Sequence, residues 1–258
     1  MEELPMSKQI EIVETPITGL PGRTPREQIL DEKPLVSGKK EPIFLIDLSG
    51  SNFFEGPQGQ AGPDSPMTKK ELLMIAVPLA AGKLGKDDSM AASEVGTDKG
   101  GVRSYGFNEP DRFEGWDEEE EEFDDPRDLG DLSEANVQEK LGNAPWGGRT
   151  FIMPAIRAAV KAFVKEFPDG DTTAEMVIWT DGQLNDQDQF EHWLEGVGKD
   201  ASFKAVVAVA VLGYGDGHDQ AVKEYKKIAD SNNHISVAAL TGVSDPSEVV
   251  LDVQLMAA

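Results

Sequence analysis

The sequence predicts an α/β protein with a mostly parallel central sheet that helices cover on both faces. Short apolar runs recur along the chain without the alternation of polar residues that a half-exposed strand shows. Between these runs, apolar residues follow the i, i+3, i+4, i+7 spacing of one helix face. Strands that alternate with helices are typical of a parallel sheet, because consecutive parallel strands need a crossover connection.

These patterns place the individual elements. Strands are predicted at residues 43–47, 102–107, 176–180, 205–213 and 235–239. Helices are predicted at residues 68–83, 156–167, 190–197 and 222–229. A last helix should begin at Asp245, because Pro246 and Glu248 follow it as in a capping box. Pro78 lies inside the first helix and should kink or split it.

The first 40 residues differ from the rest of the chain. They carry prolines at positions 5, 16, 21, 25 and 34 and show little hydrophobic periodicity. We therefore expect an N-terminal arm at residues 1–40, which is either a flexible tail or contributes a short edge strand at residues 10–13. Residues 41–258 are expected to form the α/β domain.

The chain is strongly acidic and contains no cysteine. Its 24 basic and 48 acidic residues give a formal charge of -24, which repels nucleic acids and anionic membranes and attracts divalent cations and basic partners. We therefore expect no nucleic-acid partner. The lack of cysteine excludes thiolate nucleophiles and iron-sulfur clusters, so any metal must be held by oxygen atoms or by histidine.

The sequence also shows no recognisable targeting signal. The sequence has no run of 18 or more apolar residues, and its first residues lack the basic start and apolar centre of a signal peptide. We therefore expect a cytoplasmic protein without a membrane span.

An acidic insertion is predicted at residues 109–131. It contains the unbroken acidic run 118–122, with Phe113, Trp116 and Phe123 around it. One interpretation is a solvated, mobile loop, because such a composition does not form a packed core. The other is a recognition segment that folds on a basic partner.

The most informative motif follows the first predicted strand. Asp47, Ser49 and Ser51 alternate in Asp-Leu-Ser-Gly-Ser directly behind a run of four apolar residues. Alternation directs the three side chains the same way, and Gly50 allows the backbone to turn and gather their oxygens. Three hard oxygen donors at the end of a buried strand are half of a magnesium-type site.

Two further oxygen donors lie at the ends of later elements. Thr150 follows the glycine turn Gly147-Gly148, and Asp181 emerges at the carboxyl end of another apolar strand. The carboxyl edge of an open α/β sheet is where ligands bind. Taken alone, each of these residues is more often a cap or turn residue, so their joint occurrence carries the prediction.

Asp-x-Ser-x-Ser, then Thr, then Asp, resembles the metal-ion-dependent adhesion site of von Willebrand factor A (vWA) domains. The candidate metal ligands are Asp47, Ser49, Ser51, Thr150 and Asp181. The resemblance covers about residues 41–258. Within the family, Asp-Leu-Ser-Gly-Ser-Asn and Thr150 with Pro154 are most similar to the intracellular copine-type and tellurium-resistance-associated branches. It implies a Rossmann-like sheet with one antiparallel edge strand, for which the sequence offers no clear candidate.

The resemblance also implies a function. In this family Mg²⁺ or Mn²⁺ is held by such side chains, with Ca²⁺ as an alternative, and the remaining position of the ion accepts Asp or Glu from a protein ligand. The expected function is therefore a non-enzymatic adaptor or scaffold module. One version of it links a substrate to a MoxR-type AAA+ ATPase. In another, a glutamate of residues 118–122 occupies the open metal position in cis.

The alternative is a metal-assisted hydrolase that resembles a phosphatase. It is less favoured, because no histidine accompanies the motif as a general base. Dinucleotide-binding and EF-hand patterns fail at His218 and His192, which occupy positions where these motifs require glycine and glutamate.

Overall fold

The computed structural model describes residues 39–52, 59–63, 65, 67–87, 101–110, 127–182, 184–200 and 203–240. All of them belong to one structural unit, Lys33–Ala258. The arm at residues 1–40 lies outside the described residues except for its last two positions, and so do the helix after Asp245 and residues 111–126 of the acidic insertion. These expectations stay predictions.

Strands and helices alternate along most of the chain, as predicted. The strands are Lys39–Asp47 (β1), Val102–Phe107 (β2), Asp128–Leu132 (β3), Thr172–Thr180 (β4), Ala205–Leu212 (β5) and Ile235–Leu240 (β6). The helices are Lys69–Asp87 (α1), Val137–Gly142 (α2), Met153–Glu166 (α3), Gln187–Gly196 (α4) and Asp216–Ala229 (α5). The predicted fold class is confirmed.

The six strands form one sheet in the order β3-β2-β1-β4-β5-β6. All neighbours are parallel except β2 and β3, which are antiparallel. The chain therefore builds outward from β1 through β2 to β3, and then returns to the other side of β1 with β4. The carboxyl ends of β1 and β4 lie side by side at this reversal, which is the position where doubly wound sheets bind ligands.

The sequence did not predict β3, which is the antiparallel edge strand. Its residues Asp-Leu-Gly-Asp-Leu have low strand propensity, and the structure buries only Leu132 among them. An edge strand tolerates this composition because it has one partner and one open side. The last part of the predicted insertion, residues 128–131, thus belongs to the sheet, where Arg103 pairs with Asp128.

The core lies on both faces of the sheet. Every residue of β4 and β5 is buried, which accounts for the apolar, non-alternating sequences of β5 and of residues 176–179 in β4. On one face, Ile43 and Leu45 of β1 share a hydrophobic cluster with residues of α3, α4 and α5. On the opposite face, the ring of Phe44 packs edge-on against Trp179 at 5.9 Å between centroids.

Helix α1 continues through Pro78 without the predicted split. Proline removes one helical N–H group, so the carbonyl four residues earlier, that of Met74, loses its usual donor. The side-chain amide of Gln138 in α2 donates a hydrogen bond to this carbonyl at 2.9 Å. A neighbouring helix thus replaces the missing hydrogen bond, and this tertiary contact was not visible in the sequence.

Within the part of the chain that the structure describes, no helix combines the length and the apolar character needed to cross a lipid bilayer. The cytoplasmic location stays a prediction.

A substitution in β2 tests how tightly this strand packs against Leu48. A Cβ atom at Gly106 would lie 2.4 Å from Cδ1 of Leu48, which is fully buried. We expect Gly106→Ala to lower the free energy of unfolding by about 1–3 kcal/mol because the side chain overpacks the core. Urea unfolding measures this change. Gly142→Ala is the control, because a Cβ there meets nothing within 4 Å; equal effects of both substitutions would contradict the packing.

Candidate metal centre

The carboxyl ends of β1 and β4 bring two carboxylates together. Asp47 is the last residue of β1, and Asp181 directly follows Thr180 at the end of β4. Because these strands are parallel neighbours, their carboxyl ends meet at one edge of the sheet. Asp47 is 0% exposed and Asp181 is 2% exposed, so both carboxylates are removed from bulk water.

The residues after β1 turn back over its end. The backbone N–H of Ser49 donates a hydrogen bond to Oδ1 of Asp47 at 2.9 Å, and Gly50–Asn52 form a single 3-10 turn. This turn brings the hydroxyl oxygens of Ser49 and Ser51 to 3.0 Å from each other. The predicted gathering of oxygens at the strand end is therefore present, through a turn rather than through continued strand alternation.

The two carboxylates influence each other through space. Oδ2 of Asp47 accepts hydrogen bonds from the Thr180 hydroxyl at 3.2 Å and from the Asp181 N–H at 3.4 Å. Burial, and then the negative charge of Asp181, raise the pKa of Asp47 to about 7, against the effect of its hydrogen bonds. This arrangement favours a cation, because a cation stabilises both carboxylates in their charged form.

Thr150 reaches the same edge of the sheet through backbone contacts. The N–H of Gly147 donates to the Leu48 carbonyl at 2.8 Å, and the N–H of Gly50 donates to the Gly148 carbonyl at 3.1 Å. Gly147 and Gly148 have φ values of 121° and 75°, which only glycine adopts readily. The glycine turn therefore ties the loop of Thr150, itself buried, to the loop after β1.

Asn185 and Asp186, which sequence reasoning did not identify, hold this loop from its other side. The side-chain carbonyl of Asn185 accepts a hydrogen bond from the Thr150 N–H at 2.9 Å, and the Asn185 N–H donates to the Thr150 carbonyl at 2.7 Å. The Asp186 carboxylate accepts from the N–H groups of Ile152 and Met153, which open α3. Asp186 thereby acts as a helix cap from a distant segment, with no local signal in the sequence.

Asn52 is a third residue that the motif did not reveal. Its amide nitrogen donates to the Asp47 carbonyl at 3.2 Å, and it lies 3.5 Å from the Ser49 hydroxyl. Its Oδ1 atom is buried and has no hydrogen-bond partner among the residues that the structure describes. Asn52 thus fixes the turn and leaves one acceptor oxygen unused beside the predicted ligands.

Lys69 is the residue that most changes the electrostatics of the site. Its ammonium nitrogen lies 3.1 Å from Oδ2 of Asp181, and the pair is buried. Lys69 opens α1, whose start is fixed by a complete capping box between Thr68 and Glu71. The Thr-x-x-Glu pattern was visible in the sequence, whereas the ion pair joins residues 112 positions apart and was not.

The donor set fits a hard divalent cation. Carboxylate and hydroxyl oxygens are the ligands that Mg²⁺ prefers, and the two facing carboxylates require positive charge. Among the described residues, no three His, Asp or Glu side chains cluster as a metal site. The predicted set does not need such a cluster, because it combines two carboxylates with three hydroxyl groups.

Four of the predicted ligand residues are linked in a chain of hydrogen bonds, two of which are donated by backbone N–H groups, and the fifth is tethered to them. Hydrogen bonds connect Asp47, Ser49, Ser51 and Asp181, and Thr150 belongs to a loop that is bonded to theirs. Their role as metal ligands stays a prediction.

Arg149, next to Thr150 in the chain, forms an ion pair with Glu109 at the rim of the candidate site. Arg149 is 70% exposed at its side chain and lies 3.9 Å from the carboxylate of Glu109, the first residue of the acidic insertion. An exposed ion pair of this kind contributes little to stability. Because most of the Arg149 side chain is exposed, its guanidinium is accessible to a ligand.

The sheet order, with parallel strands and one antiparallel edge strand, is that of a Rossmann-like α/β fold, and one solved structure supports its assignment to the vWA fold. The crystal structure of the SpRpn10 VWA domain is similar with a TM-score of 0.52 and 11% identity, over 86% of this chain and 98% of that one. The resemblance at this level of identity establishes the fold alone.

Two further structures are similar to smaller degrees. Manganese-loaded TRAP protein of Plasmodium vivax has a TM-score of 0.49 and 14% identity, over 85% of this chain and 74% of that one. The von Willebrand factor type A protein of Catenulispora acidiphila has a TM-score of 0.39 and 17% identity, over 86% of this chain and 42% of that one. No protein-family model and no curated protein matches the sequence.

The pKa of Asp47 predicts how stability changes with pH in metal-free protein. Because the folded-state pKa of about 7 lies above the ordinary aspartate value of 3.8, the folded state binds this proton more tightly than the unfolded state. The stability from Asp47 is therefore complete below about pH 4 and is lost as the pH rises through 7. We expect the free energy of unfolding in EDTA to fall more between pH 5 and pH 8 in wild type than in Asp47→Asn.

Urea unfolding at the two pH values measures this difference. Asp169→Asn is the control, because Asp169 is exposed and lies in the loop before β4, at the opposite edge of the sheet. It should keep the wild-type pH dependence. An Asp47→Asn protein with the same pH dependence as wild type would contradict the buried, charge-coupled carboxylate.

Proposed function

We propose that this chain is a protein-binding module that holds a divalent cation at the carboxyl edge of its sheet and recognises an acidic side chain of a partner through that ion. Asp47, Ser49, Ser51, Thr150 and Asp181 supply the oxygen ligands, directly or through water. The preferred ions are Mg²⁺ and Mn²⁺, with Ca²⁺ as the alternative. Bound there, the ion supplies a positive charge that an incoming carboxylate can approach.

The observation that carries this proposal is the facing pair of buried carboxylates beside two hydroxyl groups. Asp47 and Asp181 are removed from water, and the Lys69 ammonium can balance only one of the two negative charges. A buried charge that is not balanced is unfavourable, and proteins commonly satisfy such groups with a metal. A purely structural turn would not require two carboxylates at this position.

The number and charge of the ligands favour an acidic partner. Five side chains leave one position of an octahedral ion for an outside group. With both carboxylates ionised, a divalent cation balances them, and the Lys69 ammonium then leaves one net positive charge. An incoming Asp or Glu neutralises this charge. The exposed guanidinium of Arg149 gives the same ligand a second cationic contact at the rim.

The formal charge of -24 adds a condition on the partner. Long-range repulsion opposes a uniformly acidic protein, so the recognised Asp or Glu should have basic neighbours. A basic partner for the acidic insertion at residues 109–131 meets this condition. A MoxR-type AAA+ ATPase is a proposed partner, in line with the resemblance to vWA proteins.

Metal binding is the first test of the proposal. We expect isothermal titration calorimetry to show one Mg²⁺ or Mn²⁺ site in wild type and at least a tenfold weaker site in Asp47→Ala, because the variant lacks a buried anionic ligand. Asp169→Ala, which removes an exposed carboxylate at the opposite edge, should bind as wild type does. Equal metal affinity in both variants and wild type would show that the ion does not bind at Asp47.

Recognition of a carboxylate is the second test. We expect an array of peptides that carry Asp or Glu among basic residues to bind the protein in Mg²⁺, with at least tenfold weaker binding in EDTA. Matched peptides with Asn or Gln should bind weakly under both conditions, because an amide does not neutralise the site. Equal capture of acid and amide peptides, or capture that persists in EDTA, would contradict recognition through the ion.

A further inference from the structure

Lys69 reaches the candidate metal centre from the start of α1. Its aliphatic chain lies over Gly213, where an added Cβ would come within 3.0 Å of Cε and 3.1 Å of Cδ. From there the ammonium group extends to Asp181, 3.1 Å from Oδ2. Only 7% of Lys69 is exposed. The glycine after β5 thus leaves a path for this lysine into the site.

The position is unfavourable for a lysine unless the site uses its charge. The N-terminus of a helix carries partial positive charge, so a cation in the first turn is disfavoured there. Removing an ammonium from water adds a second cost. The contact with Asp181 offsets both costs. The capping box of Thr68 and Glu71 already fixes the helix start, so helix formation does not depend on Lys69.

The ammonium engages a carboxylate that the proposed metal site needs. Oδ2 of Asp181 accepts the Lys69 hydrogen bond, and Asp181 is one of the two anionic groups that the proposed metal site requires. A divalent ion beside Asp181 would also be repelled by a fixed ammonium at that distance. Metal and lysine therefore oppose each other at one carboxylate.

We propose that Lys69 is an internal counter-ion that competes with the divalent cation for Asp181 and thereby lowers the affinity of the site for metal. This inference rests on the proposed metal-dependent function. In metal-free protein the ammonium holds Asp181 and compensates part of the buried negative charge. When the ion binds, the ammonium gives up its hydrogen bond to Asp181. The site is thereby weakened for metal alone and retains one positive charge for an acidic ligand.

The movement that this competition requires is confined to the side chain. The backbone N–H of Lys69 donates a hydrogen bond to the Gly59 carbonyl at 2.8 Å. The next residue in the chain, Gln60, forms a β-bridge with Thr68. The side chain of Gln60 also accepts a hydrogen bond from the Tyr214 hydroxyl at 3.2 Å. These contacts, together with the capping box, fix the first turn of α1. The flexible outer carbons of the lysine allow its ammonium to move while the helix stays in place.

Titration of the full chain with Mn²⁺ alone tests the proposal. We expect Lys69→Met to bind Mn²⁺ at least tenfold more tightly than wild type by calorimetry, with a larger metal-induced rise in Tm. Lys69→Gln should change affinity in the same direction, because its amide keeps a donor for Asp181 but carries no charge. Lys161→Met is the matched control, since it removes one exposed positive charge from α3 and should stay within about twofold of wild type.

Each outcome decides between the two proposals. Equal or weaker Mn²⁺ binding by Lys69→Met and Lys69→Gln would overturn the competition and leave the metal-dependent function intact. Binding by these variants but not by wild type would support the competition and overturn metal-dependent function in the natural chain. Absence of binding in every protein would overturn both. Circular dichroism checks that each variant is folded. If Lys69→Met does not fold, the Mn²⁺ affinity of Lys69→Gln alone tests the competition.

Discussion

The arrangement of the candidate site depends on the closeness of two buried carboxylates at the reversal point of the sheet. Asp47 and Asp181 end neighbouring parallel strands, so the fold itself forces them together. Burial and mutual repulsion make this pair unfavourable in its charged form, as the raised pKa of Asp47 indicates. A nearby positive charge resolves the conflict, and the chain supplies one in Lys69.

The loops around this pair are fixed by backbone contacts more than by the predicted ligands themselves. The glycine turn at Gly147 and Gly148 is bonded to the loop after β1, and Asn185 is bonded to both backbone groups of Thr150. Segments that lie far apart in the chain therefore position the hydroxyl groups before any ion binds. Preorganisation of this kind lowers the entropy lost on binding, because few side chains remain to be ordered.

The sequence was sufficient to predict the core of the fold and the closeness of Asp47, Ser49, Ser51 and Asp181, but not the contacts that depend on tertiary structure. β5 could be placed from its sequence because a fully buried strand is continuously apolar. β3 could not, because Asp and Gly residues give an edge strand no hydrophobic pattern. The pairing of Lys69 with Asp181 and the compensation of Pro78 by Gln138 both connect distant segments, so no local pattern contains them.

The central claim is that the two carboxylates and their neighbouring hydroxyl groups hold a divalent ion. Crystals of the full chain grown with Mn²⁺ test it most directly, through an anomalous difference map recorded near the manganese absorption edge. We expect one strong peak between Asp47 and Asp181, in contact with the hydroxyls of Ser49 and Ser51, with the Lys69 ammonium displaced from Asp181. A map without a peak between Asp47 and Asp181, with Lys69 still bonded to Asp181 at saturating Mn²⁺, would contradict it.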